Sequence, residues 1–281
     1  MQLSEIIDRT KTKLKNVVVG RKVLQADKNL TKPRSAIFYT THKCASSFVG
    51  NLFDLLVKNS QYELVDYPSS IWALGNKINP GQNYEAFLEK AYSDLYSLHG
   101  KIYAPQRKYL DFPGRERFKH IFFLRDPRDV LVSAYFSLGF THSKPKNNAS
   151  LNKFIQTRND IQSQGIDNYV LGDAESWIIP LYKQYKHLRE TAEESIYLRY
   201  DLFAYDTAEF IKKISDFLQL EISEKNIESL IRKARPVQAT EAMKHKRSGR
   251  SGQYLEKLQP TTIDKLNNIL SEILLDWEFE L

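Results

Sequence analysis

The strongest constraint on the fold is a repeated pairing: a short apolar run followed by a segment with helical apolar spacing. "AIFYT" (36–40) runs without polar alternation, the mark of a strand buried on both faces. After it, Phe48, Val49, Leu52, Phe53, Leu55 and Leu56 recur at helical spacing. "GKIYAP", "FKHIFFLRD" and "SIYLRY" repeat the strand pattern. "NPGQNYEAFLEKAYSDLYSL", "DPRDVLVSAYFSLGF", "ESWIIPLYKQYKHLRE", "DTAEFIKKISDFLQL" and "SEKNIESLIRKA" supply further helices. Apolar strands alternating with helices predict an α/β domain, a central parallel sheet flanked by helices. Asp126 is placed to cap a helix that has Pro127 at its first position, and Pro180 is expected to kink its helix.

At 281 residues the chain has room for one large domain or two small ones. No boundary is evident, so residues 1–34 are read as a basic arm or short helix and 35–281 as a single α/β domain. A hydrophobic fraction of 42% is enough for a full core and argues against disorder. The formal charge of +7 points to an anionic ligand without choosing among nucleotide, acidic polymer and nucleic acid. Cys44 is the single cysteine, so no disulfide can form within the chain, which fits a reducing compartment. The first 15 residues contain no apolar signal core, and no apolar run approaches the roughly 20 residues of a membrane span. A cytoplasmic protein without a membrane span is expected.

Two strand-to-helix junctions carry the chemistry. After "AIFYT", the turn "THKCASS" places Lys43 beside Ser46 and Ser47 at the start of a helix. Helix N-termini present N–H groups and partial positive charge, so this is a phosphate cradle in chemical terms. It is not a Walker A loop: the glycines are absent and the lysine precedes the helix. Capping of the helix by one serine is the alternative reading. At the second junction, "LRDPRDVLVSAY", Arg125 ends a strand, Arg128 lies in the first helical turn and Ser133 lies further in. Arginine suits bidentate phosphate binding, although Arg125 could instead pair with Asp126 or Asp129. "KHKRSGRSGQY" (244–254) adds a third basic segment, and "THSKPKNNASLN" (141–152) is polar enough for a mobile loop. Three phosphate binders imply a ligand with phosphates at more than one position.

Taken together, these motifs resemble the sulfotransferases that use 3′-phosphoadenosine 5′-phosphosulfate (PAPS), over residues 35 to about 255. "YTTHKCASSF" is similar to the family's phosphosulfate loop, with Lys43 at its lysine, Ser46 and Ser47 at its two threonines, and Phe48 at the tryptophan that stacks on adenine. Cys44 and Ala45 stand where the family has serine and glycine. Arg125 and Ser133 match the 3′-phosphate motif, and "LRYDL" places Tyr200 near adenine. Arg247, Ser248 and Gly249 resemble the segment that closes on the 3′-phosphate, with Arg250 compensating for the lysine that Ser248 replaces. The resemblance implies a P-loop NTPase-like three-layer fold and sulfuryl transfer to a hydroxyl or amine, with PAP as product and no metal required. Lys43 would stabilise the leaving phosphate, and Ser133 would orient Lys43 or the 3′-phosphate.

The family's catalytic histidine has no direct counterpart. His42 is the first candidate for general base, followed by His99 and by Tyr103, which stands nearest the missing position. A catalytically silent module binding PAP or a polyanion is the competing class, and a nucleotide-dependent kinase follows it. No nucleic-acid-binding motif is present. The acceptor, a small molecule or glycan, is open, with Tyr67, Trp72, Phe140 and Trp177 as a candidate aromatic wall.

Overall fold

The computed structural model describes residues 31–74, 84–142, 148–234 and 251–281. Among the described residues five strands form one sheet: β1 (Ala36–Thr40), β2 (Glu63–Val65), β3 (Lys101–Gln106), β4 (Lys119–Leu124) and β5 (Glu194–Arg199). Their order is β2-β3-β1-β4-β5, and every pairing is parallel. β1 and β4 are buried along their whole length, which is why their sequences carry no alternation. β2 is new relative to the sequence reading. It has three residues, lies at the sheet edge and is only partly covered.

Parallel strands bring all their C-terminal ends to one edge. From β1 the chain crosses first to the β2–β3 side and later to the β4–β5 side. Such a switch point opens a crevice above the strand ends.

The helices that frame this edge are α1 (Ser46–Leu56), α2 (Pro127–Phe136), α3 (Asn148–Asp173), α4 (Ile179–Thr191) and α5 (Tyr200–Tyr205). α1 buries Phe48, Val49, Leu52, Phe53 and Leu56, with the Phe53 ring edge-on to Phe38 at 5.2 Å. In α2, Asp126 caps as expected, its carboxylate accepting the Arg128 N–H at 2.9 Å with Pro127 in the first turn. Pro180 falls where the helical run is distorted: the backbone stays helical from Ile178 into α4, and a π-turn over Ala174–Ile178 directly precedes the proline. One sequence expectation needs correction. Within 141–152, α3 already begins at Asn148, and residues 143–147 lie outside the described residues.

α4 fixes both strand ends that feed the crevice. The Tyr185 hydroxyl donates to the Thr40 carbonyl at 3.0 Å, at the end of β1. The Tyr182 hydroxyl donates to the Arg125 carbonyl at 2.5 Å, just past β4. Both tyrosines are fully buried, so each phenol must find such a partner. Beside α4, Trp277 is fully buried, packs against Phe122 and donates its indole N–H to the Tyr182 carbonyl at 3.3 Å.

Candidate functional site

The turn between β1 and α1 has an unusual backbone. Lys43 and Ala45 both adopt positive φ, 71° and 45°. Non-glycine residues there cost roughly 1–2 kcal/mol each, and such strain concentrates at functional turns. Ala45 is the N-cap, and no side chain caps the helix. The serine-capping alternative is therefore not realised. The helical ladder begins with Phe48 and Val49 N–H donating to the Ala45 carbonyl at 2.8 and 3.2 Å. The earlier N–H groups of Ser46 and Ser47 are first-turn donors with no place in that ladder, as an anion cradle requires. Lys43 is half-buried, Ser46 is half-buried and Ser47 is exposed at this mouth. Cys44 points inward, with its sulfur 3.1 Å from the Thr41 hydroxyl. Burial pushes its thiol pKa up, and the Thr41 contact only partly opposes that. Cys44 therefore plugs the turn as an inert thiol.

Arg125 forms the wall beside the turn. Its guanidinium donates to the Lys43 carbonyl at 3.4 Å and pairs with Asp129 at 3.4 Å. It also lies over the Tyr200 ring, 4.7 Å from the centroid. The pairing with Asp129 was one of the sequence alternatives. Asp129 in turn accepts the backbone N–H groups of Gly252 (2.9 Å) and Tyr254 (3.1 Å). Burial raises the Asp129 pKa, and Arg125 pulls it back. The basic 244–254 segment is thus tied at its end to the carboxylate that holds Arg125. No local spacing could have signalled this link.

Arg128 is a correction. It is 1% exposed, and its guanidinium is consumed by Asp126 (2.7 Å), Asn267 (2.6 Å) and the Glu280 carbonyl (2.5 Å), beneath the Tyr254 ring. It anchors the C-terminal segment and does not face the crevice.

The candidate bases separate clearly. His99 bridges Arg34 just before β3, at the opposite edge of the sheet, about 16 Å of strand away from the turn. Tyr103 lies in mid-strand, 3% exposed, accepting the Ser97 N–H at 2.6 Å, and burial pushes its pKa up. Neither lies at the β1–α1 turn, and His42 does. Solvent reaches its ring, yet protein surrounds enough of it that desolvation leads in lowering its pKa to about 4, followed by Arg107, Lys108, Lys43 and His142. It is neutral at physiological pH, the form a base needs.

The other expected residues are distributed unevenly. Ser133 sits half-buried in α2, two turns beyond Arg125. Phe48 is 6% exposed and turned into the core, its ring 4.7 Å from Phe203 and 6.3 Å from Phe210, so in this arrangement it offers adenine little surface. Tyr200 is 5% exposed, stacked on Phe123 under Arg125. Arg247, Ser248, Gly249 and Arg250 lie outside the described residues, as does the N-terminal arm up to residue 30. Of the aromatic wall, Tyr67 donates to the Leu95 carbonyl within a tyrosine cluster, and Trp177 donates to Asp173. Phe140 is half exposed, and the Trp72 side chain lies outside the described residues. Among the described residues no helix is long and apolar enough to cross a membrane.

The fold and the turn define a P-loop-like α/β protein with a strained strand-to-helix turn at the C-terminal edge of its sheet. The sulfotransferase domain model matches residues 33–278, and the chain belongs to the sulfotransferase family. Among solved structures it is similar to mouse sulfotransferase SULT7A1 complexed with PAP, at 13% identity and TM-score 0.55, covering 86% of this chain and 84% of that one. Two further similar structures are retinol dehydratase with androsterone and PAP (16%, TM-score 0.49, covering 89% and 83%) and with retinol and PAP (14%, TM-score 0.48, covering 89% and 84%). No curated protein matches the sequence significantly.

Proposed function

We propose that this sulfotransferase takes its sulfuryl group from PAPS and transfers it in line to a hydroxyl or amine, leaving PAP. The observation that carries the reading is the β1–α1 turn, whose strained backbone sets His42 and Lys43 directly before the first-turn N–H groups of α1, with Arg125 on the Lys43 carbonyl. The acceptor oxygen or nitrogen attacks sulfur, and the bond from sulfur to the 5′-phosphate oxygen breaks. Charge develops on that phosphate oxygen, where Lys43 and the helix N-terminus stabilise it. The acceptor proton passes to the His42 imidazole. Ser46 and Ser47 offer hydroxyl donors to the same phosphate, Ser133 steadies Lys43 or the 3′-phosphate, and Arg125 and Tyr200 serve the 3′-phosphoadenosine side. Lysine and arginine neutralise the charge that a metal handles in phosphoryl transfer.

The test is calorimetric titration with PAP on wild type, Lys43→Ala and Arg125→Ala. Wild type is expected to bind at micromolar Kd or tighter, about −8 kcal/mol. Loss of either cation should cost about 1.5–3 kcal/mol. No heat and no thermal shift with PAP would reject the reading. Tight PAP binding with no transfer from labelled PAPS to any acceptor tried would favour the silent binding module.

A further inference from the structure

The cations at this edge outnumber those the nucleotide motifs account for. β1 is the middle strand, and its exit carries His42 and Lys43. On the β4–β5 side stand Arg125, Ser133 and Tyr200, the residues assigned to the nucleotide. On the opposite side β3 pairs with β1 up to Gln106 beside Tyr39, so Arg107 and Lys108 emerge next to the 41–43 turn on the flank away from the nucleotide. The turn they occupy is built. Gln106 is 3% exposed, and its side-chain amide donates to the Lys108 carbonyl at 2.8 Å. Arg107, Lys108 and Lys43 lead the charged groups acting on His42. A base with cations beside it suits a nucleophile delivered by an acidic molecule.

We propose that Arg107 and Lys108 form an anion subsite for the acceptor, which therefore carries a carboxylate or sulfonate-like group near the hydroxyl or amine that receives the sulfuryl group. The inference rests on the PAPS reading of the same site. An arginine fork and a lysine point charge together match such an oxyanion, which would hold the nucleophile over His42. It would also explain why His42 is left exposed while Tyr103 is sealed inside the sheet.

The experiment uses matched phenols that differ in one charge: 4-hydroxybenzoate against its methyl ester, and 4-hydroxybenzenesulfonate against the sulfonamide. Each is measured by transfer from labelled PAPS and by binding to the PAP-loaded enzyme, on wild type and on Arg107→Gln/Lys108→Gln. Wild type is expected to favour an acidic member of a pair by about tenfold or more, and the double variant to lose that preference while keeping wild-type affinity for PAP. Which pair shows the preference separates carboxylate from sulfonate. Three results would each overturn the subsite: no preference for the acidic members in transfer or binding, a preference that survives in the double variant, or PAP affinity that falls in the double variant as it does in Lys43→Ala. Failure of wild type to bind PAP would instead remove the PAPS reading on which the subsite rests.

Discussion

Arg125 and Asp129 stand one helical turn apart with 3.4 Å between guanidinium and carboxylate, and their side chains are 4% and 0% exposed. The pair joins three parts of the chain. Arg125 holds the Lys43 carbonyl, and Asp129 holds the N–H groups of Gly252 and Tyr254. Removing one member of a buried pair strands the other charge, which typically costs 3–5 kcal/mol. Asp129→Asn should therefore lower stability by about 3 kcal/mol in urea unfolding. It should also weaken PAP binding, because Arg125 and the 252–254 backbone lose their common anchor. A change in stability below about 1 kcal/mol would mean the pair is not a brace.

The state of His42 predicts an unusual pH profile. Its pKa is lowered to about 4, so the free enzyme holds it neutral, and base-competent, through the whole physiological range. Activity that needs the neutral form is present above the pKa and lost below it. The kcat/KM for PAPS, which reports the free enzyme and the free nucleotide, should show no acid inflection between pH 5 and 7.5 beyond that of the nucleotide's own 3′-phosphate, which titrates near ~6. Bound PAPS brings negative charge next to the ring and raises its pKa, so the acid limb of kcat should lie at higher pH than that of kcat/KM. His42→Ala should lose about 10²–10⁴ in kcat with PAP affinity retained. An inflection near 6.5 in kcat/KM that disappears in His42→Ala would restore an ordinary histidine pKa to the base, while one that the alanine variant keeps, or a fully active alanine variant, would remove His42 from the mechanism.

The ease with which the fold could be read traces to local physics. A strand buried on both faces must be apolar throughout, so "AIFYT" marks β1 residue for residue. β2 escaped because its Glu-Leu-Val is an edge strand of three residues with little burial to enforce a pattern. The Asp126–Pro127 start of α2 was legible because a cap is a contact between near neighbours in the chain. Arg128 was misjudged for the opposite reason. Its partners Asn267 and Glu280 lie 139 and 152 residues away, and nothing in "RDPRD" announces them. At the site, motif spacing pointed to Lys43, Ser46, Ser47 and Arg125, while the separate positions of His42, His99 and Tyr103 needed the sheet order. Only parallel strands place His99 at the edge opposite the β1–α1 turn and Arg107 and Lys108 next to it.

Ala45 offers a test of strain in the cradle. With φ 45° and ψ 34° it occupies a conformation in which a Cβ is penalised and glycine is not. Ala45→Gly should stabilise the protein by up to about 1 kcal/mol, since glycine's greater unfolded entropy takes back part of the relief. A β-branched residue should do the reverse, so Ala45→Val should lower both Tm and PAP affinity. Ala45→Val at wild-type Tm would mean that the turn relaxes freely and stores no strain.

His120 sets the acid limit of the fold itself. It is fully buried in β4, its ring stacked 5.7 Å from Tyr39 and 6.0 Å from Phe122, with one ring nitrogen 2.9 Å from the Arg115 carbonyl. Burial, which outweighs the carbonyl contact, lowers its pKa from 6.5 to about 4. The unfolded chain therefore takes up a proton at a higher pH than the folded chain does. The native state keeps its full stability above pH 6.5, loses it progressively as pH falls toward 4, and loses no more from this group below that. A separation of that size corresponds to about 3 kcal/mol at 1.36 kcal/mol per unit. His120→Phe keeps an aromatic ring between Tyr39 and Phe122 but cannot take up a proton. Urea unfolding at pH 7.5 and 4.5 should show a smaller acid-induced loss in this variant than in wild type, whatever its stability at pH 7.5. Equal losses in the two proteins would place the acid sensitivity in other groups, with Asp129 and its ion pair the next to examine.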